Sequence, residues 1–187
     1  MKSILLSIKP KYAELIARGE KTIEVRKTAP KEVPFKCYIY MTQGTYKDLG
    51  LYSEGIYQNR MKVIGEFICD KVDKYEPQVI LCAYYEVNGA YVKENLRYNS
   101  GTCLSYEDMV NYSKGKTLYG WHIFDLKIYD KPKGLNEFYR MCKNPCKPSN
   151  GGILCLTTKT LKMNGCDGKI PLTRPPQSYM FVEEVEQ

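Results

Sequence analysis

Histidine is almost missing from this chain of 187 residues, where His122 stands alone. A histidine-based catalytic triad and a multi-histidine metal site are therefore both excluded. Tryptophan is equally scarce, with Trp121 beside that histidine. No stretch approaches the ~20 apolar residues of a membrane span. Ile4 to Ile8 is too short for the apolar part of a signal peptide and runs at once into Lys9, Lys11 and Glu14, so a cytoplasmic protein without membrane contact is expected. Metal-dependent nuclease chemistry needs clustered carboxylates, and only Glu24, Glu66 and Glu107 are candidates to meet. Cysteine is not scarce. Eight of them without an export signal argue for thiols or metal ligands in a reducing compartment, not for a disulfide framework.

The formal charge of +7 and the sequence pI near 8.9 favour an anionic partner. The charge sits in two flanks. Met1 to Lys36 holds nine Lys or Arg against four Glu, and Lys131 to Lys169 holds eight against two acids. If the flanks meet in space they form a patch suited to phosphate; otherwise they are ordinary solubilising lysines.

The organising stretch is Gly19 to Arg26, Gly-Glu-Lys-Thr-Ile-Glu-Val-Arg. Before it, Tyr12, Leu15 and Ile16 recur at helical spacing, with Pro10 early and Gly19 after the last turn. After it the period becomes two, so Thr22, Glu24 and Arg26 share one side of a strand. Lys21 opens that strand. A solvated edge strand with paired surface charges and a small polar site are both consistent with this spacing.

Gly-x-Lys-x-x-Glu-x-Arg after a strand and a helix resembles the signature of the ASCH family, relatives of the PUA RNA-binding fold. Lys9-Pro10, Gly65-Glu66-Phe67, Tyr119-Gly120-Trp121-His122 and Arg174-Pro175-Pro176-Gln177-Ser178-Tyr179 follow in the family's order. The resemblance implies an α+β fold: a PUA-like mixed β-barrel with at least two short helices and loop insertions. It also implies RNA or modified-nucleoside binding in a cleft beside the signature. Some small ASCH proteins are amidohydrolases acting on N4-acetylcytidine through a Lys-Thr-Glu arrangement. Here Lys21 matches that lysine, Glu24 stands where the threonine would, Thr22 is the nearest other hydroxyl, and Glu107 is the helical carboxylate. A ribonuclease and a protein-interaction adaptor are further alternatives.

Read in order, Ser3–Ile8, Cys37–Met41, Met61–Val72, Thr117–Tyr129 and Met180–Val185 are strand-like, and helices are expected over 10–18 and 104–112. Ser105 is the expected N-cap of the second helix, with Glu107 and Asp108 in its first turn. The chain reads as one domain, 1–187, with insertions at about 42–60, 74–102 and 131–172. Met61–Val72 is expected to run as one central strand, with Val63, Phe67 and Cys69 on one face and Ile64, Ile68 and Val72 on the other. Glu66 interrupts it, paired or at the mouth of the fold, and Gly65 marks a bulge or a close backbone approach. The candidate ligand-binding set is Lys21, Glu24, Arg26, Glu66, Trp121 and His122; the catalytic alternative adds Thr22 and Glu107.

Late in the chain, Cys142, Cys146, Cys155 and Cys166 lie in a segment full of Pro, Gly, Asn and Lys that has little to bury. A structural zinc ion on four thiolates would order it, and free thiols in a loop are the alternative. Tyrosines at 75, 84, 85, 91 and 98 either pack a loop against the core or stack on bases.

Overall fold

Ser3–Ile8 (β1) sends Ile4, Leu6 and Ile8 into one core and Leu5, between Ser3 and Ser7, into the other, because the sheet it joins is covered on both sides. This computed structural model describes residues 2–44, 58–76, 84–87, 90–93, 100–142, 153–154, 161–162 and 168–184. After β1 come helix α1 (Pro10–Ala17), β2 (Ile23–Arg26), β3 (Phe35–Met41), β4 (Lys62–Cys69) and β5 (Val72–Tyr75). A hairpin of β6 (Tyr84–Val87) and β7 (Ala90–Lys93) precedes α2 (Tyr106–Ser113), β8 (Leu118–His122) and β9 (Phe124–Lys133). Six shorter strands close the list: β10 (Phe138–Met141), β11 (Ile153–Leu154), β12 (Leu161–Lys162), β13 (Lys169–Pro171), β14 (Tyr179–Phe181) and β15 (Glu183–Glu184).

The main sheet has the order β14-β1-β3-β4-β9. Only β1 and β3 run parallel in it, so the chain between them must cross over, and that crossover carries α1 and β2. One face of the sheet packs Ile4, Leu6 and Ile8 of β1 with Ala13 and Ile16 of α1 and with Trp121. The other packs Leu5, Tyr38, Tyr40 and Val63 against Phe138, Leu172 and Val182. A second sheet, β2-β8-β5, lies under α2, where Val25, Met109 and Leu118 are buried together. Among the described residues the sheets stay open and no ladder closes into a barrel. The α+β class holds; the barrel is not among the described pairings.

Two expected long strands are each broken in two. The run expected from Met61 to Val72 leaves the main sheet after Cys69 and resumes as β5 in the second sheet. The run expected from Thr117 to Tyr129 changes sheets at Ile123, and Asp125 takes a left-handed φ of 47° just beyond. Both crossings happen side by side: Ile68 pairs with Phe124 on one side and Val72 with Trp121 on the other. Alternation alone could not reveal this, since a strand keeps its period when it changes partners.

The facing of β4 also differs from strict alternation. Register slips beside Gly65, where Ile39 pairs with Gly65 but Tyr40 with Val63. The extra residue places Ile64 with Phe67 and Cys69 in one core and Val63 in the other. Both readings of Gly65 hold, because a Cβ there would lie 2.4 Å from the Lys127 carbonyl oxygen.

The helices fall close to where their caps put them. Pro10 opens α1, and Gly19 follows it at φ +75°. In α2 the Ser105 hydroxyl accepts from Asp108 N while the Asp108 carboxylate accepts from Ser105 N, a full capping box. No helix among the described residues is long and apolar enough to cross a membrane. The expected insertions fall largely on residues outside the described ones.

Candidate functional site

The turn that ends α1 drives Lys21 inward. Gly19 N donates to Ile16 O, and the amides of Glu20 and Lys21 both donate to Leu15 O. The Lys21 side chain is then 1% exposed. Its Nζ donates to Ile23 O at 2.8 Å and Thr102 O at 2.5 Å, and lies 5.3 Å from the centre of the Tyr12 ring. Burial pulls the Lys21 pKa below its ordinary value, with Glu24 opposing the shift.

Glu24 is held between two cations. Its Oε2 is 3.5 Å from Lys21 Nζ and its Oε1 is 3.0 Å from Arg26 Nη2. The same Nη2 donates to Ser7 O at 2.8 Å. Arg26 Nε is buried with no partner among the described residues. A buried cation–anion–cation row of this kind is costly to desolvate and gives little net stability. Its better-supported consequence is that three charged groups are fixed in place.

The row forms one wall of a cleft of about 390 Å³. Ser7, Lys9 and Tyr12 close one side; Asp108, Asn111 and Tyr112 of α2 close the other. Helical spacing puts those last three on one face. The Tyr112 ring, 36% exposed, carries Lys27 Nζ 4.7 Å from its centre.

Of the sequence candidates, Lys21, Glu24 and Arg26 therefore meet, and the others stand elsewhere. Thr22 is exposed, its amide bonded to Gly101 O, and it does not line the cleft. Glu107 is exposed on α2, and its neighbour Asp108 takes the cleft position instead. Glu66 bonds to Lys36 Nζ at 3.1 Å and accepts from Tyr129 OH at 2.6 Å. Burial raises the Glu66 pKa, but those two hydrogen bonds more than reverse the effect and leave it below the usual range. Trp121 is 0% exposed, edge-on to Phe35 and Tyr179 with both centroids at 5.4 Å, and donates Nε1 to Thr28 O. It belongs to a different hollow of about 720 Å³, at the Lys2 end of β1. His122 Nε2 lies 2.7 Å from Asp73 Oδ2, and Lys71 holds the other oxygen of Asp73.

Cys142 is half-buried and its amide donates to Gly168 O. Cys146, Cys155 and Cys166 lie outside the described residues, as do Tyr98 and the lysines at 143, 147 and 159. Among the described residues no group of three metal-ligating side chains occurs. Sequence reasoning missed Ser7, Lys9, Tyr12, Asp108, Asn111 and Tyr112. The signal for the last three was present: a cap at Ser105 fixes the helix, and Asp108, Asn111 and Tyr112 then follow at i, i+3 and i+4.

Residues 6–97 match the family described as the ASCH domain. The crystal structure of ASCH from Zymomonas mobilis superposes with a TM-score of 0.55 at 16% identity, covering 97% of this chain and 88% of that one. A mutant of the Zymomonas mobilis protein gives the same TM-score and identity, covering 97% and 89%. At such identity the likeness concerns the fold alone. No curated protein matches the chain.

Proposed function

We propose that this chain, which carries an ASCH domain over residues 6–97, binds RNA or a modified nucleoside in the cleft beside Lys21, Glu24 and Arg26. The observation that carries the reading is the meeting of the buried charged row with Tyr112 in one concave site of suitable size. Tyr112, in place of Trp121, is the ring available for stacking. We also read the shared corner of β4–β5 and β8–β9 as the turn of an open PUA-like barrel, which would set this cleft at its rim. The test is fluorescence anisotropy with single-stranded RNA across a salt series. Phosphate contacts release counterions, so affinity falls steeply with salt. Affinity that is flat between low and physiological salt overturns the electrostatic part of the reading.

One observation favours hydrolysis as the second reading: Lys21 is a buried amine with a lowered pKa in a cleft. Against it, the nominated hydroxyl of Thr22 lies outside that cleft. Binding without efficient deacetylation is therefore expected. Chromatography of N4-acetylcytidine incubated with the protein decides: brisk conversion to cytidine, lost in Lys21→Ala, would make it an amidohydrolase. A ribonuclease relying on clustered carboxylates has less support, because Glu66 is engaged on a different sheet. Zinc remains part of the proposal. The β10–β13 ladder sets Cys142 opposite Gly168, two positions along the chain from Cys166.

A further inference from the structure

We infer that the cleft holds an oxyanion on Arg26, so that its ligand is a phosphate monoester: a free nucleotide or a phosphorylated RNA end. The inference rests on the binding function proposed above and names the group that the ligand must carry. It follows from which bonds of the buried row are already made. Lys21 Nζ spends its three N–H groups on Ile23 O, Thr102 O and Glu24. Glu24 has one oxygen against Lys21 and the other against Arg26. Arg26 differs. Both of its bonds, to Ser7 O and to Glu24, use Nη2, so the N–H groups of Nε and Nη1 have no partner among the described residues. Its side chain lines the cleft and is only 10% exposed.

A carbonyl oxygen would satisfy those donors as well as an anion would, and charge decides between them. Two buried cations face one buried carboxylate, which leaves the row with one positive charge in excess. Asp108, the other acid of the lining, is exposed and accepts from Ser105 N. The excess acts on Lys21, whose pKa is lowered by burial foremost and by the Arg26 charge as well. A carbonyl would leave that charge unpaired away from water, whereas an oxyanion meets both needs. Exposed Lys9, and Lys27 over the Tyr112 ring, add positive charge at the mouth. Depth then sets the kind of phosphate. An internal phosphodiester carries chain on both sides, but a monoester can lead its ligand in to a recessed guanidinium. Tyr112 remains as a stacking surface for whichever base follows.

Calorimetric titration of uridine and adenosine against their monophosphates is the test. Each monophosphate is expected to bind roughly ten- to hundredfold tighter than its nucleoside, the range for hydrogen bonds to a charged group. Arg26→Gln removes that gain. Uridine monophosphate also shifts the Arg26 Nε resonance of the wild type, a reading that needs no variant to fold. Short RNAs with and without a terminal phosphate separate the two sources. Tightening by the end phosphate assigns the RNA end, and tightening confined to mononucleotides assigns the free nucleotide. Equal affinity for nucleoside and monophosphate, an unmoved Nε resonance, or a gain that survives in folded Arg26→Gln overturns the inference. RNA that still binds in that case leaves the binding function standing. If neither nucleotides nor RNA bind, both fall together.

Discussion

Lys21 answers to four groups at once: two carbonyl oxygens, a carboxylate and the face of a tyrosine. Lys21→Ala removes those contacts and leaves Glu24 half-paired. RNA or nucleoside binding should weaken by about 1–3 kcal/mol, the range for an unpaired buried group; equal affinity in the two proteins would count against the site. The same burial has a pH signature. Lys21 has a folded pKa below its ordinary 10.5, so in the interval just below 10.5 the unfolded chain binds its proton more tightly. Wild type therefore gains stability as pH rises through that interval, and Lys21→Met does not. Urea denaturation of both proteins at pH 8 and pH 10 should show the difference moving towards wild type. At this scale the sequence was legible where two periods meet: helix up to Gly19, strand from Ile23. Thr22 was misplaced because β2 begins only after it, so strand alternation does not reach back to its side chain.

Among the elements, β4 is the most exposed to a single methyl group. Gly65→Ala would drive a Cβ to 2.4 Å from a backbone oxygen of β9, and neither strand can retreat without losing ladder bonds. A loss of about 1–3 kcal/mol in urea unfolding is expected, the usual cost of overpacking; an unchanged midpoint would mean the bulge yields freely. The bulge was foreseeable from a glycine beside a charged residue in an apolar strand. Its effect on facing was not, since the extra residue shows only when both neighbouring strands are in place. Helix α2 is the converse case: Ser105 and the acids after it set its start, but nothing local says which sheet it covers.

For the whole molecule, the order of strands and the two helices could be read from the chain, while the sheet-to-sheet corner and the partners of each strand could not. Pairing over long sequence separations is a tertiary choice that local pattern does not encode. The late cysteines make a prediction at this scale. Protein purified without chelator should carry close to one zinc per chain, and Cys142→Ser with Cys146→Ser should release it while the main sheet stays folded. Elemental analysis finding no metal in the wild type would remove zinc from the account.

Ser7 ties the cleft to the far end of the chain. Its carbonyl holds Arg26, its amide donates to Ser178 O, and its hydroxyl donates to Pro176 O. During synthesis on a ribosome the signature emerges well before residues 176–178, the segment that pins Ser7. A nascent chain thus displays Lys21, Glu24 and Arg26 long before it can fix them. The geometry that holds Arg26 is complete only once residues 176–178 have been made, and a product lacking residues 175–187 would leave Ser7 without the two bonds that pin it.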